Sequence, residues 1–169
     1  ISKQDDFVQD CTIDTDLEIL IPDDYVENIT ERLSLYSRLD NSETEEELQA
    51  MEQELIDRFG PLPTEVKELF ITVRCRKFAV DLGFERMILK SDSLKCYFIN
   101  KPDSPYFESE TFNSIMQYLQ TGTNKARLKQ VGKLFMIVVE PVKDMQDVHT
   151  FLKRMHDDTI AKRLVGKNA

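Results

Sequence analysis

At Gly83 the hydrophobic rhythm of this 169-residue chain changes. Before it, from about Tyr25 to Leu82, apolar side chains recur three and four residues apart, the spacing that lines one face of a helix. After it, short runs rich in β-branched and aromatic residues are separated by turn residues, which is the signature of strands. A helical pattern does not sit still as a strand, nor the reverse, so the chain must build helices first and most of a sheet second. The fold class that follows is α+β.

The elements can be placed in order. Ile13 to Ile21 alternates loosely, is rich in β-branched residues and stops at Pro22, and predicts one strand. Asp23 or Asp24 can cap a helix in which Tyr25, Ile29, Leu33, Tyr36 and Leu39 recur at helical spacing. Asp40-Asn41 breaks it, and Ser42 with Glu45 three residues on forms a capping box for a second helix. Leu48, Met51, Leu55 and Phe59 of that helix fall within ~80° on a wheel and form its buried stripe. Gly60-Pro61-Leu62-Pro63 is a rigid corner, because glycine ends the helix and the prolines forbid its continuation. A third helix, Thr64 to Leu82, is apolar on two sides: Val66, Leu69, Phe70, Val73 and Val80 on one, Ile71, Cys75, Phe78 and Leu82 on the other. That pattern predicts a helix sandwiched between two layers at the centre of the fold.

Beyond Gly83, Phe84 to Lys90 and Leu94 to Asn100 read as a hairpin around Ser91-Asp92-Ser93. Phe107 to Leu119 reads as a helix with Phe112, Ile115, Met116 and Leu119 inward, and Ala126 to Val131 with Lys133 to Glu140 as a hairpin around Gly132. A last helix, from Val142 or Asp144 to about Arg163, turns Met145, Val148, Phe151 (or Leu152), Met155 and Ile160 to one face. The expected architecture is an N-terminal strand and three-helix segment followed by two ββα units, which form a small, mainly antiparallel sheet covered by helices. Residues 1–12 read as a linker, 13–165 as a single domain with a helical half 13–83 and a ββαββα half 84–165, and 166–169 as a frayed tail. The opening Ile-Ser-Lys-Gln suggests a piece of a longer protein.

Charge is distributed unevenly. Residues 1–60 hold 18 Asp/Glu against 4 Lys/Arg, whereas residues 61–169 hold 13 against 18. An asymmetry of that size suits an acidic surface facing a basic partner, and the overall charge of −9 disfavours a chain that works chiefly by neutralising phosphates. Cys11, Cys75 and Cys96, odd in number and widely spaced, suit neither a disulfide framework nor a zinc site and point to a reducing, cytoplasmic setting. The longest apolar run, Leu134 to Val139, is far shorter than the ~20 residues of a membrane span.

Several chemistries are missing. No glycine-rich phosphate loop occurs, so the chain is expected to bind no nucleotide cofactor and to catalyse nothing by itself. His149 and His156 lie seven apart without a third ligand and read as solvated rather than metal-binding, and Cys75 reads as a core residue. Carboxylates are plentiful, yet Glu43, Glu45, Glu46, Glu47, Glu52, Glu54 and Asp57 decorate one helix instead of converging from separate elements, which is the pattern of a solvated face. One subset is better ordered: Glu47, Glu54, Asp57 and Arg58 lie within ~100° of each other, with their mean direction about 100° from that of the apolar stripe. Such a patch suits bidentate pairing with charged groups on a partner.

Three stretches carry a resemblance. Ile21-Pro22-Asp23-Asp24-Tyr25-Val26, Arg32-Leu33-Ser34-Leu35-Tyr36-Ser37-Arg38-Leu39 and Glu54-Leu55-Ile56-Asp57-Arg58-Phe59-Gly60-Pro61-Leu62-Pro63 together resemble the C-terminal domain of bacterial transcription-repair coupling factors. The resemblance covers roughly Leu17 to Gly83. It implies a regulatory, non-catalytic domain of an ATP- and Mg-dependent double-stranded DNA translocase that engages stalled RNA polymerase, with the motor elsewhere in the parent. It further implies docking on an N-terminal excinuclease-B-like module of the same protein, which masks the surface for the excinuclease A subunit. By motif, the docking contact falls on Glu54, Asp57 and Arg58, with Glu47 beside them; Arg32, Tyr36 and Arg38 also match, Tyr36 as a structural residue. The fragment is then expected to be monomeric. A competing reading makes the basic half a DNA-contacting appendage through Lys125, Arg127, Lys129, Lys133, Lys153, Arg154, Lys162 and Arg163.

Overall fold

The structure, a computed structural model, describes residues 7–121 and 125–161. The expectations for residues 1–6, for Lys162 and Arg163 and for the 166–169 tail lie outside these. The chain divides into two compact units, Glu18–Val73 and, from both sides of it, Ile1–Leu17 with Arg74–Ala169. The division falls inside the third helix, not at Gly83.

The helical unit holds α1 (Ile29–Asp40), α2 (Glu45–Phe59) and the first part of α3 (Thr64–Leu82). Helix α1 starts later than expected. Pro22 to Val26 closes a turn on the Pro22 carbonyl, and Asn28, not Asp23 or Asp24, caps the helix by accepting the Glu31 N–H at 3.1 Å. The carbonyls left open by the break, those of Val26 and Glu27, accept from the Arg32 guanidinium at 2.6 and 3.1 Å. The buried face is therefore Leu35 and Leu39, whereas Ile29 and Leu33, expected inside, are 64% and 62% exposed. In α2 the cap is also displaced from Ser42 and Glu45. Thr44 accepts the Glu47 N–H at 3.1 Å, and the Glu47 carboxylate reaches back to the Glu43 N–H at 3.0 Å.

The stripe of α2 is as read: Leu48, Met51 and Leu55 are buried with Phe59 packed against them, and Val66, Phe70 and Val73 of α3 join the same core as Leu35 and Leu39. Two tyrosines bind this unit together through their hydroxyls. Tyr36 accepts the Ile21 N–H at 2.7 Å, and the Tyr25 hydroxyl lies 2.8 Å from the Gly60 carbonyl oxygen and 3.2 Å from that of Leu55, which ties the segment before α1 to the end of α2.

The sheet unit contains β1 (Thr12–Thr15), β2 (Phe84–Lys90), β3 (Ser93–Phe98), β4 (Ala126–Val131) and β5 (Leu134–Val139) in the order β1-β2-β3-β5-β4. β1 runs parallel to β2 and every other pairing is antiparallel. β1 is much shorter than the 13–21 expected, because its partner β2 turns just beyond Leu89, opposite Thr15, and because the Thr15 hydroxyl takes the Leu17 N–H at 3.1 Å and bends the chain. Part of the expected linker is packed, not loose: Val8 and Cys11 are buried and Phe7 meets the Tyr106 ring edge-on. Ser91 and Asp92, both with positive φ, form the two-residue turn between β2 and β3, and Ser93 already belongs to β3. Partnered residues share a face, so Met87, Cys96 and Ile137 make a fully buried row across three strands.

The expected helix from Phe107 is two elements. A 3-10 turn, Pro105–Glu108, precedes α4 (Glu110–Gln120), because Ser109 caps anew by accepting the Phe112 N–H at 3.2 Å. Helix α5 (Met145–His156) is capped by Asp144 and runs into a π-helical turn at Asp157–Ala161, with Leu152 rather than Phe151 on its buried face. The apolar surface of α3 is split along its length, not set against two layers side by side. Val66, Phe70 and Val73 serve the helical core, while Cys75, Ala79 and Leu82 are buried in the sheet unit, where the Cys75 thiol faces the Met145 carbonyl and the Leu82 carbonyl accepts from Tyr106. His149 and His156 are not solvated as read. Both meet the ring of Phe78, and His156 Nε2 lies 2.9 Å from Asp81.

Candidate docking site

Helices α1 and α2 run antiparallel, since Arg38 near the end of α1 pairs with Glu54 while Glu31 near its start pairs with Arg58. The spacing is what helix geometry requires: Glu31 and Arg38 are seven apart on α1, Glu54 and Arg58 four apart on α2, and both pairs lie beside the apolar stripe of their helix. The result is a ladder of alternating sign, Glu31–Arg58–Glu54–Arg38. The Arg38 guanidinium donates to both oxygens of Glu54, at 2.8 and 2.9 Å, and Arg58 lies 3.4 Å from one of them. That fork-to-fork hydrogen bonding holds the Glu54 carboxyl at about 2, far below the ordinary 4.5, and raises the Arg38 guanidinium in turn. Arg58 also stands over the Phe59 ring, 4.8 Å from its centroid, and Phe59 packs against Tyr25.

The four residues singled out from the sequence are not equivalent. Glu54 and Arg58 are part of the ladder and still 36% and 44% exposed. Asp57 is exposed and accepts from the Gln53 amide at 2.9 Å. Glu47 is exposed but engaged in the α2 cap through the Glu43 N–H. Sequence reasoning placed all four on one helix and missed that α1 supplies half of the charges, Glu31 and Arg38. Their opposite signs at a seven-residue interval were the available signal. An open cavity of about 430 Å³ adjoins the ladder, lined among others by Arg38, Asn41, Glu47, Met51 and Glu54. It is wide enough for a side chain of a partner and carries both signs of charge. Of the basic residues in the other unit, Lys125, Arg127, Lys129 and Lys133 come together on the β4–β5 hairpin, while Lys153 and Arg154 stand on α5, Lys153 paired with Asp157 at 2.9 Å. Among the described residues no group of three or more His, Cys, Asp or Glu is placed to hold a metal ion, and no helix is long and apolar enough to cross a membrane.

Residues 15–109, which include both partners of every rung of this ladder, match the family model of the TRCF domain. The chain belongs to the transcription-repair coupling factor family. A transcription-repair-coupling factor of Rickettsia bellii (strain RML369-C) is 32% identical over 137 residues, 81% of this chain and 11% of the relative. That of Escherichia coli (strain K12) is 36% identical over 86 residues, 51% of this chain and 8% of the relative. This chain thus spans about a tenth of the length of the curated coupling factors it matches. A crystal structure of the C-terminal domain of transcription-repair coupling factor superposes with a TM-score of 0.71 at 17% identity, covering 90% of this chain and 97% of that one, and shares its fold. The expected α+β class and the expected family both hold.

Proposed function

We propose that this domain is a non-catalytic clamp within a coupling factor. In this reading it docks on the N-terminal excinuclease-B-like module of its own parent protein, covers the surface that the excinuclease A subunit would use, and restrains an ATP-driven double-stranded DNA translocase until stalled RNA polymerase is engaged. The observation that carries the proposal is the Glu31–Arg58–Glu54–Arg38 ladder. It presents a carboxylate and a guanidinium, with Asp57 beside them, in fixed positions on a surface that is still open to a partner. Held charges of both signs lose little rotamer freedom on binding and fit only a partner with the opposite arrangement, which suits an intramolecular contact that must be specific yet releasable. Neither helix carries a phosphate-binding loop, so motor chemistry belongs to other parts of the parent.

The test is a calorimetric titration of this chain against the N-terminal module of its parent, with wild type and with Asp57→Ala and Arg58→Ala. Saturable binding that weakens roughly tenfold or more in either variant is expected, since truncating one member of a desolvated charge pair costs about 2 to 5 kcal/mol. Unchanged binding in both variants would place the clamp elsewhere.

A further inference from the structure

We infer that the outer edge of β4 is a second docking site, which receives an extended segment of a protein partner, acidic at alternate positions, as an added strand of the sheet. β4 is last in the strand order and hydrogen-bonds to β5 along one side, so among the described residues its other edge faces no strand. Such an edge offers unpaired N–H and C=O groups to any chain that can lie along it. Arg127 to Val131 are all exposed, whereas Met136 to Val139 of the neighbouring β5 are all buried, so β4 overhangs the core it is attached to.

The side chains say which chain fits. Arg127 and Lys129, two apart, stand on one face, with Lys125 two residues before them and Lys133 in the turn that follows. Arg127 is met by Glu140 at 3.4 Å in an exposed pair, which shows that a carboxylate is accepted there. Leu128, on the opposite face, is 41% exposed, a large apolar group that water covers in this chain, and Val131, 50% exposed, ends the row on the face of Arg127 and Lys129. A strand laid along this edge places its residues about 5 Å from those of β4, so acids at every second position would stand beside Arg127 and Lys129, and the apolar residues between them would cover Leu128. A second copy of the chain is a poor occupant, because pairing β4 with β4 sets lysine and arginine against their own kind. Nucleic acid would use the cations and leave the edge amides and Leu128 without partners. An acidic strand with apolar residues in alternation uses all three features. This surface lies beyond the residues matched by the family model and is built from none of the ladder residues.

The experiment is fluorescence anisotropy of the 169-residue chain with a labelled peptide Asp-Val-Glu-Val-Asp-Ile-Glu. Two further forms are measured, one N-methylated at the acidic residues and one at the apolar residues. In a strand, alternate N–H groups point to opposite edges, so addition to β4 must be abolished by one methylation pattern and tolerated with the other. Arg127→Glu with Lys129→Glu, at an unchanged melting temperature, should weaken the parent peptide roughly tenfold or more. Equal binding of the two methylated peptides would show attraction by charge without strand pairing and would overturn the inference. So would absence of saturable peptide binding, or binding of a short duplex DNA that the peptide cannot displace.

Discussion

Replacing Glu54 by Gln keeps the shape of the side chain and removes the charge at the centre of the ladder. In the folded chain its carboxyl titrates at about 2 instead of 4.5, chiefly because Arg38 donates to both oxygens. At ~1.4 kcal/mol per unit that difference corresponds to roughly 3 kcal/mol. The Glu54 side chain is 36% exposed, however, and pairs open to water return only a fraction of such a sum, so the expected contribution is about 1 kcal/mol. The sign follows from the direction of the shift. A folded-state value below the unfolded one means the stabilisation is fully present above about pH 4.5 and is lost as the pH falls toward 2. Urea denaturation of wild type and Glu54→Gln should therefore show a gap of about 1 kcal/mol at pH 7, equivalent to about 2 to 4 °C in melting temperature, and less than half of that gap at about pH 3. Arg38→Ala should reproduce the gap. A Glu54→Gln difference of the same size at both pH values, or an Arg38→Ala variant as stable as wild type, would refute the reasoning. A corollary concerns docking. Replacing Glu54, Asp57 and Arg58 together, neutral for the fold if all three were only solvated, carries this stability cost with it, and Asp57 alone gives the cleaner variant.

Leu55→Ala and Phe70→Ala each empty a fully buried position of the helical core and should cost about 2 to 5 kcal/mol by denaturant titration, with Phe59→Ala, which is only partly buried, costing less. Gly83→Ala should be more damaging than its size suggests. Gly83 sits at a φ of +93°, and a Cβ there would run into the ring of Tyr106, which cannot swing away because it is buried among Phe7, Phe98, Phe107 and Phe112 with its hydroxyl on the Leu82 carbonyl; a large fall in melting temperature is the expected result. The thiols should be inert in the folded chain. Burial pushes Cys11 up to about 12 and Cys96 well above its ordinary value, so iodoacetamide at pH 8 should label neither until denaturant is added, as mass spectrometry would show.

Much of this fold is legible in the order of its residues because the signals are local. The stripe Leu48-Met51-Leu55-Phe59 needs only the helical period, the corner after α2 only glycine and proline, and the hairpins only turn residues between apolar runs. The outward position of Glu54, Asp57 and Arg58 follows from that stripe by rotation alone. What went astray depended on partners distant in sequence. β1 stops at Thr15 because β2 has already turned, 75 residues from the Asp16 carboxylate that receives the Ser91 N–H. Asn28 wins the α1 cap over Asp23 and Asp24 because Arg32 can satisfy the carbonyls of the broken turn, and that choice leaves Ile29 and Leu33 outside. The ladder itself is tertiary: a charge on one helix says where it points, but whether it meets water or Arg38 is settled only when a second helix lies antiparallel beside it. Periodicity determines which face of each element is apolar, whereas packing determines which polar groups are left facing each other, and the charged site of this domain belongs to the second kind.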